Sequence, residues 1–338
     1  MREVLIVTTP DGFFAQKEMP WSSMDVSKVS AGLGAKGFHV TTVDFDYIKN
    51  NISAIKDKII IYTSSQRTEH KRYIEDVMYF LKDSNFLIPS YEALKAHDNK
   101  GFQLLLNAKY ILNVIPGTYI ADVSEINQEQ NYPCVFKPAN GASSTGVAIV
   151  NNINEIRQKV NGWLDFSLRD LKKIIKKHII PFRYNSEWEN YLDFGKKRFI
   201  LQKFMPGLTC DYKVLIFGDK FYALKRFVAK NDFRASGSGL HSRDFDGELE
   251  MVLEQAYQFS RRFRSHIYSL DICVADGETW IIEFQFTHVG PVTLSESPFY
   301  FVRAQNGVWN KVMKVSDLED EFVLSITGYI HENTALCS

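Results

Sequence analysis

Two carboxylates and one amide fall on two neighbouring strand-like segments in the last quarter of the chain. Asp271 lies in the first segment, and Glu283 and Gln285 lie in the second, two residues apart and therefore on one face of a strand. A turn at residues 276–277 would fold the strands together and bring the three side chains to one point. Oxygen ligands of this kind suit Mg²⁺, which usually takes its remaining ligands from water and nucleotide phosphates. The alternative is a pair of solvent-facing acids beside a hairpin, but their apolar neighbours favour a metal site.

A lysine followed by a run of small residues could bind phosphate. Lys137 ends the strand-like segment 134–137, and the segment 138–146 is rich in Gly, Ala and Ser. The backbone N–H groups of such a loop can approach phosphate oxygens, and the lysine adds a positive charge. The order G-x-x-x-x-G-K-[ST] is absent, which excludes a P-loop. By itself the loop is a weak indication, because Gly/Ser hairpins are common.

Two arginines complete the set. Arg226 ends a strand-like segment, and Arg234 enters the Gly/Ser-rich stretch 234–239. Guanidinium groups fit the oxygen atoms of a transferring phosphoryl group or of an acyl phosphate. For each arginine taken alone, a surface salt bridge is the more frequent role.

The elements that must position these residues follow two patterns. Up to about residue 95, short apolar segments at 4–7, 38–43 and 59–62 alternate with segments of helical periodicity such as 69–81. This alternation predicts a mostly parallel, doubly wound sheet. The segment 32–37 reads G-x-G-x-x-G, but it precedes a strand instead of following one, so it is interpreted as the end of a helix.

From about residue 99 the pattern changes. A helix is predicted over 100–112, a hairpin over 134–150, and mostly helical, polar sequence over 154–195. Within the last range, 168–178 predicts a basic amphipathic helix. It is interpreted as a solvated lysine face, with docking of an anionic substrate or acidic partner as the alternative. Beyond residue 198 the sequence is rich in β segments, with one helix at 248–264.

The composition is that of a folded protein without a strong net charge. Of its 338 residues, 45% are hydrophobic and 24% are charged, and Lys+Arg and Asp+Glu number 40 each, which predicts no nucleic-acid partner. No apolar run approaches membrane-spanning length, and the first residues lack the apolar stretch of a signal peptide. Three of the four cysteines are widely spaced in apolar segments, a pattern typical of reduced core thiols. The sequence therefore predicts a cytoplasmic protein of two or three modules with no membrane insertion.

Taken in order, six short segments resemble the ATP-grasp superfamily, and the resemblance runs from about residue 100 to about residue 290. They are Asp98-Asn99-Lys100, Val135-Phe136-Lys137-Pro138 with its loop, Leu201-Gln202-Lys203-Phe204-Met205-Pro206-Gly207, Asp211-Tyr212-Lys213-Val214 with Gly218-Asp219-Lys220 and Lys225-Arg226, Leu270-Asp271-Ile272, and Ile282-Glu283-Phe284-Gln285. The stretch 231–239 is similar to the amino-acid and peptide ligases of this superfamily.

This resemblance implies an α/β (α+β) architecture with the ATP-grasp fold. An N-terminal Rossmann-like α/β domain at 1–97 would precede a central subdomain at 98–198 with the phosphate loop and a C-terminal subdomain at 199–338 with the magnesium site. The nucleotide would be held between the two α+β subdomains.

The resemblance also implies a role for each matched residue, with ATP and Mg²⁺ (or Mn²⁺) as cofactors. Lys100 and Lys137 would bind phosphates, and the loop at 231–243 would close over the site. Adenine would be bound by Gln202, Lys203 and Met205, and ribose by Asp211. The phosphate loop would include Ser143, Ser144, Thr145 and Gly146, and Arg226 and Arg234 would stabilise the transferring group. The metal ligands would be Asp271, Glu283 and Gln285.

The activity implied is that of an ATP-dependent carboxylate–amine ligase, which forms an amide or peptide bond through an acyl phosphate and releases ADP and phosphate. Its partners would be a small-molecule carboxylate and amine, and a homodimer would fit the superfamily. A kinase that transfers the γ-phosphate to a hydroxyl or amine is the second hypothesis, and a non-catalytic ATP-binding regulator is the third. The residues expected to shape the acceptor pocket, 150–200 and 286–310, match no pattern that names the substrate. His241 and His288 are weighed as substrate contacts or bases against the role of ordinary polar histidines.

Four positions depart from the superfamily's pattern. Gln285 stands where most relatives have Asn, Gln202 where they have Glu, and Ser236 where Asn is common. The Arg often found just before the first magnesium aspartate is missing, since Ser269 and Leu270 occupy that approach. These changes concern the chemistry after ATP binding more than ATP binding itself.

Overall fold

The computed structural model describes residues 3–127, 129–141, 145–161, 168–181, 187, 197–230 and 232–334. The chain divides into two compact units. The larger unit comprises Met1–His97, Leu106–Val114 and Gly207–Ser338, and the smaller unit comprises Asp98–Leu105 and Ile115–Pro206. The three-domain division expected from the sequence stays a prediction.

The first part of the larger unit is a four-stranded parallel sheet. Its strands are β1 (Glu3–Thr8), β2 (His39–Asp44), β3 (Ile59–Ile61) and β4 (Phe86–Ile88), in the order β2-β1-β3-β4. Helices α1 (Val26–Ala35), α2 (Phe45–Asn50), α3 (Thr68–Leu81) and α4 (Tyr91–Ala96) alternate with them. Because both faces of β1 and β3 are covered, their residues are almost continuously apolar and buried. The predicted parallel α/β region is confirmed.

The G-x-G-x-x-G segment ends a helix, as predicted. Helix α1 stops at Ala35, and Gly37 adopts a left-handed conformation with φ +89°. The N–H groups of Gly37 and Phe38 donate to carbonyl groups of the last helical turn. The glycines therefore serve chain reversal and not nucleotide binding.

The second part of the larger unit is a seven-stranded sheet with antiparallel pairings. Its order is β13-β12-β9-β10-β14-β15, with β11 paired to β10. The strands are β9 (Cys210–Phe217), β10 (Lys220–Phe227), β11 (His241–Ser242), β12 (Ile267–Ala275), β13 (Glu278–Gln285), β14 (Tyr300–Arg303) and β15 (Trp309–Val312). The helices that accompany it are α8 (Leu249–Arg262), α9 (Val292–Ser295) and α10 (Leu318–Thr334).

The two faces of strand β9 have different characters, because its side chains alternate. One face is apolar and lies on the same side as Phe284, whose ring packs 5.0 Å from that of Phe259 in α8. The other face is apolar only at Leu215 and Phe217, which join a core formed with β1, α1 and α10. Toward the start of β9 this second face carries Asp211 and Lys213. The polar half of this face, with its neighbours on β10, β12 and β13, is called the charged face below.

The smaller unit contains a four-stranded antiparallel sheet in the order β5-β8-β6-β7. Its strands are β5 (Gly117–Ile120), β6 (Cys134–Pro138), β7 (Ala148–Val150) and β8 (Phe199–Lys203), and its helices include α6 (Ile153–Asn161) and α7 (Leu168–Ile179). Helix α5 (Lys100–Tyr110) begins in this unit. The predicted hairpin is confirmed by the pairing of Cys134 with Val150, and the basic segment is helical as predicted.

Helix α5 is shorter than expected. It ends at Tyr110 and not at residue 112, because Ile111 turns to a left-handed conformation with φ +53°. Among the described residues, no helix is both long and apolar enough to cross a membrane.

Candidate functional site

The hairpin of β12 and β13 places the predicted metal ligands on one face. Asp271 lies directly opposite Glu283, and Ser269 lies directly opposite Gln285. All three predicted ligands are half-buried. A β-bulge follows Asp271, so residues 269–271 pair with 283–285 in a register shifted by one residue from that of the residues nearer the turn. The structure thus brings Asp271, Glu283 and Gln285 together, while their role as metal ligands stays a prediction.

This donor set fits a small divalent cation. Like charges on directly opposite residues repel each other, so a cation shared by the Asp271 and Glu283 carboxylates would relieve an unfavourable contact. No group of three His, Cys, Asp or Glu side chains suited to a metal occurs in the part of the chain that the structure describes. Two carboxylates with an amide, completed by water and phosphate oxygens, are the pattern of magnesium bound with a nucleotide.

Arg226 on β10 is engaged by two of the acids. Its Nε and Nη2 lie 2.6 Å and 2.8 Å from the two carboxylate oxygens of Asp211, and its Nη2 lies 2.9 Å from Oδ2 of Asp271. Burial lowers the pKa of the Arg226 guanidinium, but the carboxylates of Asp271 and Asp211 outweigh this effect and raise the pKa above its ordinary value. Burial raises the pKa of the Asp211 carboxyl, which is 5% exposed, and Arg226 opposes this rise. Arg226 and Asp211, expected at the phosphoryl group and the ribose, therefore bind each other and position Asp271.

Lys213 also belongs to this cluster, although no role was predicted for it from the sequence. It lies opposite Asp271 in the pairing of β9 with β12, and its Nζ donates a 2.9 Å hydrogen bond to Oγ of Ser269. Burial lowers the pKa of its ammonium group, and the nearby Asp271 and Glu283 oppose this. The only signal in the sequence is that Lys213 follows Asp211 by two residues and so shares its face.

Arg234 binds an acid in its own loop. Its Nη2 and Nε lie 2.9 Å from the two carboxylate oxygens of Asp232. These contacts hold the pKa of the Asp232 carboxyl at about 2. The loop stretch 231–243 is described from residue 232 onward, and His241 lies on β11 opposite Arg226, exposed. Arg234 is thus placed on a short local ion pair.

In the smaller unit, the two predicted phosphate-binding lysines meet the start of the small-residue loop. Lys137 lies on β6 and is 8% exposed, and Lys100 at the start of α5 is 7% exposed. The Nζ of Lys100 donates a 2.6 Å hydrogen bond to the carbonyl oxygen of Gly141, whose N–H donates a 2.6 Å bond to Asp98. Of the predicted loop residues, Thr145 and Gly146 are exposed, and Ser143 and Ser144 lie outside the described residues.

The predicted adenine-binding segment forms the end of strand β8. Gln202 is 2% exposed, and its Nε2 donates a 3.2 Å hydrogen bond to the carbonyl oxygen of Ile115. The N–H of Lys203 donates a 2.8 Å bond to the carbonyl oxygen of Pro116, and the side chain of Lys203 is exposed. Met205 is buried. The side chain of Gln202 thus holds β8 against the segment that leads into β5.

Comparison with known proteins identifies the fold. No protein-family model matches the chain. The D-cycloserine synthetase DcsG aligns over 96% of this chain and 98% of its own with a TM-score of 0.53 at 13% identity. The D-alanine–D-alanine ligase of Bacillus anthracis aligns over 99% of both chains with a TM-score of 0.50 at 12% identity. This chain has the ATP-grasp fold.

Two further comparisons agree with this assignment. The N5-carboxyaminoimidazole ribonucleotide synthetase of Thermotoga maritima aligns over 98% of this chain and 76% of its own, with a TM-score of 0.50 at 12% identity. In sequence, the formate-dependent phosphoribosylglycinamide formyltransferase of a Synechocystis species is 32% identical over 65 residues. That segment spans 19% of this chain and 17% of the relative. The ATP-grasp resemblance expected from the sequence is confirmed at the level of the fold.

A small cavity lies in the larger unit, next to the loop that follows β13. Tyr62, Thr287 and His288 line it. The Nε2 of His288 lies 2.9 Å from the carbonyl oxygen of Ser64 and must donate to it, so its Nδ1 is an acceptor. This Nδ1, the Thr287 Oγ1 and the Tyr62 hydroxyl are buried without a hydrogen-bond partner among the described residues. Burial also lowers the pKa of His288 to about 4, which keeps its ring neutral.

Proposed function

We propose that this protein is an ATP-dependent carboxylate–amine ligase that forms an amide or peptide bond and releases ADP and phosphate. The observation that carries the proposal is the opposed pair Asp271–Glu283 on the charged face of a chain with the ATP-grasp fold. The ligases and synthetases that share this fold support a reaction of the same class. A cytoplasmic location, where ATP is abundant, and small-molecule substrates belong to the same proposal.

The roles proposed for the residues are those that the ATP-grasp resemblance implies. In the smaller unit, Lys100 and Lys137 bind phosphates, and the backbone of residues 202–205 binds adenine. In the larger unit, Asp271, Glu283 and Gln285 hold Mg²⁺, with Mn²⁺ as the alternative metal. Arg226 keeps the Asp271 carboxylate in place through their 2.9 Å contact. When bound, the metal supplies positive charge to the phosphate oxygens.

The proposed reaction has two steps. An oxygen of the substrate carboxylate attacks the γ-phosphorus, the bond from this phosphorus to the ADP oxygen breaks, and an acyl phosphate and ADP result. The amine nitrogen then attacks the acyl carbon, phosphate leaves, and the nitrogen loses a proton. In the second step, water competes with the amine for the acyl phosphate. We propose that the loop at 231–243 closes over the site and excludes water.

The acceptor side of the site is proposed along residues 286–310, as expected from the sequence. The cavity beside residues 286–290 has room for about one water molecule and not for a substrate. Its unpartnered hydroxyl groups, on Tyr62 and Thr287, can donate and accept hydrogen bonds, whereas Nδ1 of His288 can only accept. A buried water would satisfy these groups.

The test is ADP release from Mg-ATP across a panel of amino acids, small peptides and uronic acids, each given alone and then with a second amine. Release that requires a carboxylate–amine pair and is abolished by Glu283→Gln supports the ligase. The matched control is Glu278→Gln, which removes the same charge from an exposed position of the same strand and is expected to leave release unchanged. Release with one hydroxyl or amine substrate alone would replace the ligase by a kinase, and ATP binding without turnover would replace it by a regulator.

A further inference from the structure

The charged face carries two cations, and their donors are used differently. Arg226 binds two carboxylates, those of Asp211 and Asp271, through its Nε and Nη2, so its positive charge is balanced by ion pairs. Lys213 hydrogen-bonds to the neutral hydroxyl of Ser269 and forms no ion pair with a described residue. Because an ammonium group has three N–H donors, Lys213 retains donors for a further acceptor.

The surroundings of Lys213 fix where its ammonium group lies. Its backbone is paired opposite Asp271, and its Nζ is held by Ser269 on the same strand as Asp271. On the other side lies Gly290, where an added Cβ would come within 3.6 Å of this Nζ. The half-buried ammonium group is therefore confined between the magnesium-ligand hairpin and the loop that follows β13.

The charges of this face leave it suited to a metal together with an anion. Asp211, Asp271 and Glu283 contribute three negative charges, and Arg226 and Lys213 contribute two positive ones. A bound Mg²⁺ would change the balance from one negative to one positive charge. The charge of Arg226 is balanced by its contacts with two carboxylates, whereas the described contact of Lys213 is to a neutral hydroxyl, so Lys213 is the better placed of the two to bind a phosphoryl oxygen.

We infer that Lys213 is a catalytic residue that binds the phosphoryl group during its transfer and the acyl phosphate that forms. This inference rests on the proposed function and deepens it by moving the role expected of Arg226 and Arg234 to Lys213. Ser269 stands near the place where an arginine was expected, and it directs the Lys213 ammonium to that place. Lys213 forms no covalent bond and transfers no proton in this role; it supplies charge-assisted hydrogen bonds.

The test compares Lys213→Met with Lys225→Met. Lys225 lies on the neighbouring strand but on the opposite face, where it binds Asp246, so this control removes a lysine of the same sheet outside the proposed site. The probes are Mg-ADP alone and Mg-ADP with fluoroaluminate, which imitates a phosphoryl group in transfer, and binding is followed by calorimetry. These probes need no knowledge of the substrates.

We expect Lys213→Met to bind Mg-ADP within about 3-fold of the wild type. Its affinity for fluoroaluminate in the presence of Mg-ADP should fall by about 10- to 100-fold, since one charged hydrogen-bond donor is lost. Lys225→Met should bind both probes like the wild type. In turnover, Lys213→Met should lower kcat by about 100- to 1,000-fold with little change in the KM for ATP.

Equal fluoroaluminate affinity in Lys213→Met and the wild type would overturn the inference and leave the proposed function standing. A wild type that binds Mg-ADP but gains nothing from fluoroaluminate would also overturn it. A wild type that does not bind Mg-ADP would refute the proposed function, and the role of Lys213 with it. Lys213→Gln is the second variant if Lys213→Met does not fold, because its amide can keep the hydrogen bond to Ser269. The same loss of fluoroaluminate affinity is expected for it, and an unchanged affinity would refute the inference.

Discussion

Replacing Arg226 by glutamine should lower the free energy of unfolding, and the contacts of Arg226 determine by how much. The change removes the paired contacts of 2.6 Å and 2.8 Å to Asp211 and the 2.9 Å contact to Asp271. The side chains of these acids are 7% and 20% exposed, so both carboxylates would lose their counter-charge in a largely buried place. Breaking a buried ion pair from one side costs about 3–5 kcal/mol of unfolding free energy. Urea unfolding at pH 7.5 without nucleotide measures this loss.

Two companion variants separate this mechanism from a general loss of charge. Arg303→Gln breaks an ion pair with Glu254 whose partners are 26% and 37% exposed, and it should cost less than about 1 kcal/mol. Adding Asp211→Asn to Arg226→Gln should restore about 1–3 kcal/mol, because the acid left uncompensated is then neutral. If Arg226→Gln costs no more than Arg303→Gln, or if the double variant recovers nothing, Arg226 does not act as the structural counter-charge described above.

Three further outcomes are expected. Burial lowers the pKa of His266 from 6.5 to about 3, so the unfolded chain takes up a proton at a higher pH than the folded chain does. The unfolding free energy should therefore fall as the pH drops from 6.5 toward 3, by roughly 2 kcal/mol at pH 5. In His266→Phe, the difference between the unfolding free energies at pH 7.5 and pH 5 should be smaller by this amount. Glu283→Gln removes one of two opposed like charges and should raise the unfolding free energy without ligands by about 0.2–1 kcal/mol, while the stabilisation by Mg-ATP in a thermal melt disappears. Gly34→Ala, at an open and exposed helix position, should stabilise the protein by about 0.5–1 kcal/mol. Gly101→Ala should destabilise it by about 1–3 kcal/mol, because the added Cβ would lie 2.3 Å from the Tyr119 ring. Equal effects of the two changes in urea unfolding would contradict this contrast.

The elements of the fold that the sequence predicted are those with a strong local signal. Strands β1 and β3 are covered on both faces and therefore read as unbroken apolar runs between helical segments. Glu283 and Gln285 of β13 alternate with the apolar residues Ile282 and Phe284, so their common face follows from the period of a strand. The end of α5 lacked such a signal, because the left-handed conformation of Ile111 is set by its surroundings and not by its residue type.

Only part of the charge pairing within the site follows from the sequence. Arg226 and Asp211 meet through the register of β9 with β10, which the two-residue turn between these strands fixes. Lys213 and Asp271 meet through the register of β9 with β12, which lie far apart along the chain, and no local signal determines that register. The position of Lys213 beside Asp271 could therefore not be predicted from the sequence. The functional roles of Arg226 and Lys213 stay predictions until they are tested.

The arrangement of the charged face has a consequence for the order in which this part of the chain folds. Its acidic pair belongs to the hairpin β12–β13, and its two cations belong to the hairpin β9–β10. The first hairpin, formed alone, would set Asp271 against Glu283 with no neighbouring cation, which disfavours it. The second hairpin already matches Arg226 with Asp211. We therefore expect β9–β10 to form before β12–β13, so that Asp271 and Glu283 come together only when the cations of β9–β10 are already beside them.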